Sequence, residues 1–237
     1  MSPSDPLAPV RDVLPPADLA WLEKARTRAA ADPSSLVLLF AAVGRRCRGR
    51  AALDVGGRRL DDTCRVLLLE AVTGPVLDLL TELYREGGPH ERRAVLHALP
   101  RLADRLPAEG AALALVHDAL RGDAPDLVEA AVGPYGARHL DQDSFRRAVL
   151  KCAHLGVPLT AVAALRERAD RTLARMLARL VRARAAAGRE LPAGVWTVLN
   201  DHPDLVLALD SDDAVRVPGE ARTWAPRLAR ALGMGGT

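Results

Sequence analysis

Three junctions marked by glycine and proline recur along this chain, and their spacing restricts what it can fold into. Gly87-Gly88-Pro89, Gly122-Asp123-Ala124-Pro125 and Gly156-Val157-Pro158 place their prolines 36 and then 33 residues apart. Proline tolerates the first turn of a helix, where its missing N–H has no partner to lose, and glycine suits the end of the preceding helix. Pro89, Pro125 and Pro158 are therefore each predicted to open a helix. Two helices fit between successive markers. The first members fall at 92–102 and 128–138, with proline or glycine late in each, and the second at about 107–121 and 142–155. A period near 35 with one helix–turn–helix per repeat is the signature of an α-solenoid. The fold class expected is all-α: stacked antiparallel helix pairs in a HEAT-like α-solenoid, with almost no β-structure.

The flanks read in the same way. Residues 1–16 are proline-rich and predict an extended lead-in. Leu19, Leu22 and Ala25 then set a helical period, and Asp32-Pro33 restarts a helix carrying the apolar block Leu36 to Val43. Gly49 to Gly57 reads as a polar loop, after which Asp62 or Thr63 is suited to cap a third helix. A fourth follows Gly74-Pro75. Downstream, a helix is predicted over 170–187, a short one near 193–199, an acidic loop from Asp210 to Asp213, and a terminal helix near 220–232. Residues 17–187 are taken as one helical-repeat domain, and 188–237 as a C-terminal extension packed on it or partly flexible.

Composition agrees with helices. Apolar residues make up 49% of the chain but aromatics only 3%, so leucine, valine and alanine must build the core. Of the 33 basic residues 31 are arginine, Lys24 and Lys151 being the lysines, yet the net charge is only +3. Charges of alternating sign and few aromatic stacking platforms argue against nucleic acid as a partner. Cys47, Cys64 and Cys152 are odd in number and unclustered, which predicts buried free thiols in a reducing compartment. The N-terminal residues lack the apolar stretch of a signal peptide, and Leu36 to Val43 is far short of a membrane span. A cytoplasmic protein that does not span a membrane is expected.

Candidate chemistry is sparse. Asp61-Asp62 invites comparison with a diphosphate–magnesium motif, but Arg65 stands where a third carboxylate would be wanted, so capping of a helix start is the better reading. His139, Cys152 and His154 fit no metal-ligand spacing, and no nucleotide or hydrolase motif occurs, so neither metal nor cofactor is expected. Two cationic stripes are more distinctive: Arg147, Lys151 and His154 on one helix, and Arg93, His97 and Arg101 on an earlier one, each at helical spacing. The plain expectation is solvated stripes paired with acids such as Glu91, Asp118 or Glu129. The alternative is an anion-binding recess meeting phosphate or carboxylate, with Tyr135 lining it.

Glu91 to Leu159 carries a resemblance. ERRAVLHALPRL, VEAAVGPYGARHLD and FRRAVLKCAHLGVPL are similar to the EboA-domain family of bacterial proteins, most specifically in Arg138–Asp141 and Leu150–Leu159. The pattern extends over roughly residues 35–185. The resemblance implies a gene beside a UbiA-like prenyltransferase and a role in making or exporting a metabolite, and it places interest on Arg92, Arg93, His139, Lys151 and Cys152. Residues and resemblance together predict a non-catalytic binding or adaptor protein of a small-molecule biosynthesis or export pathway, isoprenoid-related or otherwise, whose partner is a protein or a small anionic or isoprenoid metabolite. An enzyme acting on a phosphorylated or prenylated metabolite is the alternative. The predicted ligand-binding set is Arg92, Arg93, His97, Tyr135, His139, Arg147, Lys151 and His154, with no catalytic residue named.

Overall fold

The computed structural model describes residues 5–210. Among them every named element is helical, and the one trace of β-pairing is an isolated bridge between Asp54 and Arg59. The chain divides into two compact units, one ending at Gly122 and one beginning at Asp123.

The first unit holds α1 (Ala8–Arg11), α2 (Pro16–Ala31), α3 (Leu36–Arg46), α4 (Leu60–Ala71), α5 (Leu77–Glu86), α6 (Pro89–Ala98) and α7 (Leu113–Arg121). Its centre is α4, buried without interruption from Leu60 to Leu69 because α1, α2, α3 and α6 all pack against it. A helix apolar on one face only could not sit there; Leu60, Val66, Leu67, Leu68 and Leu69 cover most of its circumference. Each such side chain contributes about 1.5–3 kcal/mol by leaving water. The second unit holds α8 (Pro125–Ala131), α9 (Pro134–His139), α10 (Gln142–Leu155), α11 (Leu165–Arg168), α12 (Arg171–Ala186), α13 (Trp196–Leu199) and α14 (Pro203–Asp210). Here α10 packs on α8 and α12, and α12 on α13 and α14.

Pro89 and Pro125 open α6 and α8 at the first helical position. At Gly87 the chain turns so tightly that a Cβ would fall 2.4 Å from the Leu83 carbonyl oxygen, which only glycine avoids. Gly156 ends α10 in the left-handed region at φ 79°. Pro158 departs from expectation: it opens a single 3₁₀ turn, Leu159–Ala161, rather than a helix. The amide that would continue a helix is spent elsewhere, Ala163 N–H on the Val132 carbonyl at 3.1 Å, and Ala164 then turns into the left-handed region at φ 52°. The helix expected from about 107 begins only at Leu113, because Gly110 sits at φ 74° and breaks the turn before it. The lead-in is not simply extended, since α1 forms there and buries Leu7 and Val10. Asp62 and Thr63 do not cap α4; Arg59 is its N-cap and the acids lie inside the first turn. Helix α14 was not legible in the sequence. The acidic residues at 211–213 and the helix expected near 220–232 lie outside the described residues.

The arginines acquire a physical role. Helix C-termini leave carbonyls without intrahelical donors and a partial negative charge. Arg105 donates to Val72 and Glu70 at the end of α4, Arg168 to Ala137 and Leu140 at the end of α9, and Arg184 to Ala153 and His154 at the end of α10. A flat fork with five donors can close two carbonyls at once, which lysine cannot do with fixed geometry.

Candidate functional site

Two polar constellations stand out in the first unit. One is buried on α4. Arg65 donates to Asp61 at 2.9 Å, one helical turn away, and its Nε reaches the Phe40 carbonyl at 3.3 Å. Arg93, from α6, donates to Asp62 at 2.7 Å and lies 3.7 Å from Asp61. None of these four residues is more than 4% exposed. The guanidinium of Arg65 leaves so little room that a Cβ on Gly44 would meet it at 3.3 Å. Burial raises the Asp62 carboxyl despite Arg93, and its Oδ1 accepts no hydrogen bond. His97, one turn after Arg93, has Nε2 4.0 Å from Asp62, beyond hydrogen-bond reach. Because Arg93 already occupies that carboxylate, burial and then the charges of Arg58 and Arg93 dominate, and the imidazole falls to about 4. The second cationic stripe is thus answered from α4: Arg93 by Asp62, and Arg101 by Glu70 at 2.7 Å. The acids offered by the sequence for this stripe serve elsewhere; Glu91 reaches back to the Gly88 amide at the start of α6. Close by, the buried thiols of Cys47 and Cys64 are neighbours, and the presence of Cys47 together with burial raises Cys64.

The other constellation is an open cleft of about 450 Å³ walled by α5, the first turn of α6, and α7. Leu77, Ala112 and Leu115 make its apolar side, and Tyr84, Arg92, Asp118 and Arg121 its polar side. Tyr84 donates its phenol to Asp118 at 3.1 Å, and Arg121 donates to the other oxygen of that carboxylate at 2.6 Å. Burial first, then the bond to Asp118, pushes the Tyr84 phenol up, so it stays a donor at any physiological pH. Arg92 lies over the Tyr84 ring at 5.4 Å and donates to the Gly87 and Arg85 carbonyls, which fixes its plane at the rim. Of the predicted set only Arg92 lines this cleft. Tyr84, Asp118 and Arg121 were missed, although Tyr84 and Asp118 stand 34 residues apart, close to one repeat period.

The remaining predicted residues lie in the second unit. Tyr135 and His139 share α9, their rings 4.4 Å apart and tilted by 49°. On α10 Arg147 donates to the Ser144 hydroxyl at 3.0 Å, Lys151 pairs with Asp123 at 2.9 Å, and His154 Nδ1 meets the Leu150 carbonyl at 2.8 Å. Arg147 and His154 are exposed and Lys151 half-buried. Cys152 is buried, which, with the nearby charge of Glu129, pushes its thiol up to about 12. Among the described residues no three His, Cys, Asp or Glu side chains gather as a metal-ligand set, and no helix is long and apolar enough to cross a membrane.

Comparison with known proteins gives a family. No curated protein and no solved structure matches the chain. The family model described as metabolite traffic protein EboA matches residues 60–200. That match spans more than half of the sequence, and the chain belongs to the EboA family.

Proposed function

We propose that this EboA-family chain serves metabolite traffic as a non-catalytic binding protein, and that its small-molecule site is the cleft walled by α5 and α7. The observation that carries the reading is position: every residue lining the cleft, from Leu77 to Arg121, falls inside the 60–200 segment that the family model matches. Its volume of about 450 Å³ falls in the range of small-molecule pockets. One wall is apolar and the other carries donors pinned by their own hydrogen bonds, so a ligand with an apolar body and an oxygen-rich edge loses little on binding. The α10 face with Arg147, Lys151 and His154 supports a ligand less well, since its groups are engaged locally.

A HEAT-like stack is the architecture proposed to present this site. It is supported by polar bonds that recur at one repeat's separation: Asp62 with Arg93 and Glu70 with Arg101 at 31 residues, Tyr84 with Asp118 at 34, Arg171 with Asp204 at 33. Such offsets arise when each helix pair packs on the next. A cytoplasmic location fits three cysteines that are buried and free.

The test is retention. Purified protein is equilibrated with a small-molecule extract of the producing cells, and what stays bound is identified by mass spectrometry. Wild type retains one metabolite class, whereas Ala114→Trp, which fills the cleft from an exposed position, loses it at unchanged melting temperature. Equal retention by Ala114→Trp removes the cleft from the proposal. Multiple turnover of the retained compound replaces the binding protein with an enzyme acting on a phosphorylated or prenylated metabolite.

A further inference from the structure

A second recess in the first unit shares no lining residue with the cleft and is built differently. It has a volume of about 500 Å³. Its floor is a stripe of α4, Thr63, Val66, Leu67 and Glu70, at the i, i+3, i+4, i+7 spacing of one helix face. Pro6, Ala8 and Pro9 form one wall; Val55, Gly56 and Arg58 form another, with Arg101 at the rim. Both walls are drawn from residues before 60, outside the segment matched by the family.

The ion pairs around this recess leave one of its arginines over. Glu70 is taken by Arg101 at 2.7 Å, and Asp5 by Arg11. Arg58 is half-buried, and its guanidinium makes no hydrogen bond or ion pair with any described residue. The other buried and half-buried arginines of the unit end on carbonyls or carboxylates, as Arg26, Arg50, Arg59, Arg65, Arg92, Arg93 and Arg105 do. Arg58 is also not loose. Its carbonyl accepts from Val55 N–H at 2.6 Å, and the turn is pinned further by Gly57 N–H on the Asp54 carboxylate at 2.9 Å. Burial, and then repulsion from Arg101, pull its guanidinium below its ordinary value, against the weaker attraction of Glu70 and Asp62, neither of which pairs with it. A turn pinned by two hydrogen bonds thus holds, at the edge of the recess, a guanidinium with no hydrogen bond or ion pair among the described residues.

We infer that this recess binds an amphiphilic anion, with a carboxylate or phosphate head on Arg58 and an apolar body laid along Val66, Leu67 and the Pro6–Pro9 wall. A guanidinium fork matches the two oxygens of either head, and the apolar floor gives the body a place out of water. One unpaired guanidinium favours a ligand with a single anionic group. Glu70, already paired, excludes a cation less than it orients Arg101 beside the head.

Calorimetric titration of the full chain tests this with octyl phosphate and octanoate as free amphiphiles, octanol and inorganic phosphate as half-ligands, and phosphatidylglycerol vesicles as a lipid surface. One equivalent of octyl phosphate or octanoate is expected to bind, at least tenfold tighter than octanol or inorganic phosphate. Arg58→Gln is expected to weaken it by at least tenfold while melting at or above wild type, since no bond is lost. Ala8→Trp, from an exposed position on the wall, blocks the recess without touching Arg58 and is expected to abolish binding. Absence of binding to either free amphiphile at millimolar concentration overturns the inference. So does undiminished binding by both variants, or binding to vesicles alone. The Ala114→Trp variant should bind these probes as wild type does, so failure of this site and failure of the cleft are separable.

Discussion

The two units solve the same problem, ending and packing short helices, with charges in opposite places. Among the described residues every buried polar or charged side chain lies in the first unit: Ser35, Asp61, Asp62, Thr63, Arg65 and Arg93. There no N-cap residue bonds an α-helix through its side chain, Glu91 reaching back at the start of α6 instead, and α4 is tied to α6 through ion pairs inside the core. In the second unit the core is apolar and the charges sit at helix starts and edges. Asp141 caps α10 through Ser144 N–H at 2.8 Å, and Asp170 caps α12 through Leu173 N–H at 2.9 Å while also accepting from Arg146. Caps of this kind stabilise by about 1 kcal/mol each. A buried ion pair contributes little net stability but is expensive to break from one side. The contrast implies that the second unit spends its charges on stability, and the first on fixing which face of α6 meets α4.

The sharpest way to break this comparison is to remove one partner in each unit. Arg93→Met leaves Asp62 buried without its guanidinium and is expected to cost about 3–5 kcal/mol. Arg146→Met loses pairs to Asp143 and Asp170, both more exposed, and is expected to cost about 1 kcal/mol or less. Urea unfolding followed by far-ultraviolet circular dichroism measures both. Similar losses would mean that burial does not distinguish the units. Adding Asp62→Leu to Arg93→Met should recover most of the first loss, because no charge is then orphaned.

Acid should act on the first unit before the second. His97 titrates at about 4 in the folded protein and near 6.5 when unfolded. Its neutral form therefore contributes stability that is complete above about pH 6.5 and is lost as pH falls from there toward 4. A separation of that size corresponds to roughly 3 kcal/mol. Asp170 behaves with the same sign but lower on the scale. Held down chiefly by Arg146, it contributes stability above the usual carboxylate range that is lost only as pH falls through its depressed value. The difference in stability between wild type and His97→Gln, followed from pH 7 to pH 4, isolates the first effect. A difference that does not change with pH would place His97 in contact with solvent and weaken the claim that α4 and α6 meet in a dry, charged core.

Most helices were legible because their periods are local: Leu19, Leu22 and Ala25 declare α2, and the Asp170 start of α12 needs no distant partner. The buried cluster was not. Asp61 and Asp62 look like ordinary first-turn acids, and Arg93, His97 and Arg101 like a cationic stripe. The stripe has its complement in Asp62 and Glu70, both 31 residues earlier, so one repeat offset would have paired them. That offset could not be read because the visible punctuation, at 36 and 33 residues, begins only at Pro89, downstream of α4. The cleft escaped for a related reason. Tyr84 and Asp118 lie just before successive junctions, where attention to helix starts passes over helix ends.

The smallest effect expected is at Lys151, and it tests the second half of the comparison. Lys151 stands where the preceding repeat has Val116, which is buried, so a charge here would be costly if the face were closed. The structure leaves its side chain 24% exposed, with the ammonium 2.9 Å from Asp123, itself 83% exposed. An ion pair with so exposed a partner is worth about 0–1 kcal/mol, and Arg147 one turn away repels the ammonium by a few tenths. Methionine keeps the stem and discards the charge, so Lys151→Met should change stability by no more than about 0.5 kcal/mol in either direction. A loss above ~2 kcal/mol would show that the second unit also depends on a desolvated charge, and the distinction between the units would fail. Complementation of a deletion strain adds the functional arm. Unchanged melting with full complementation removes Lys151 from the predicted ligand set. Unchanged melting with lost complementation leaves it on a binding face of α10, alongside Arg147 and His154, whose exposed side chains no core requirement explains.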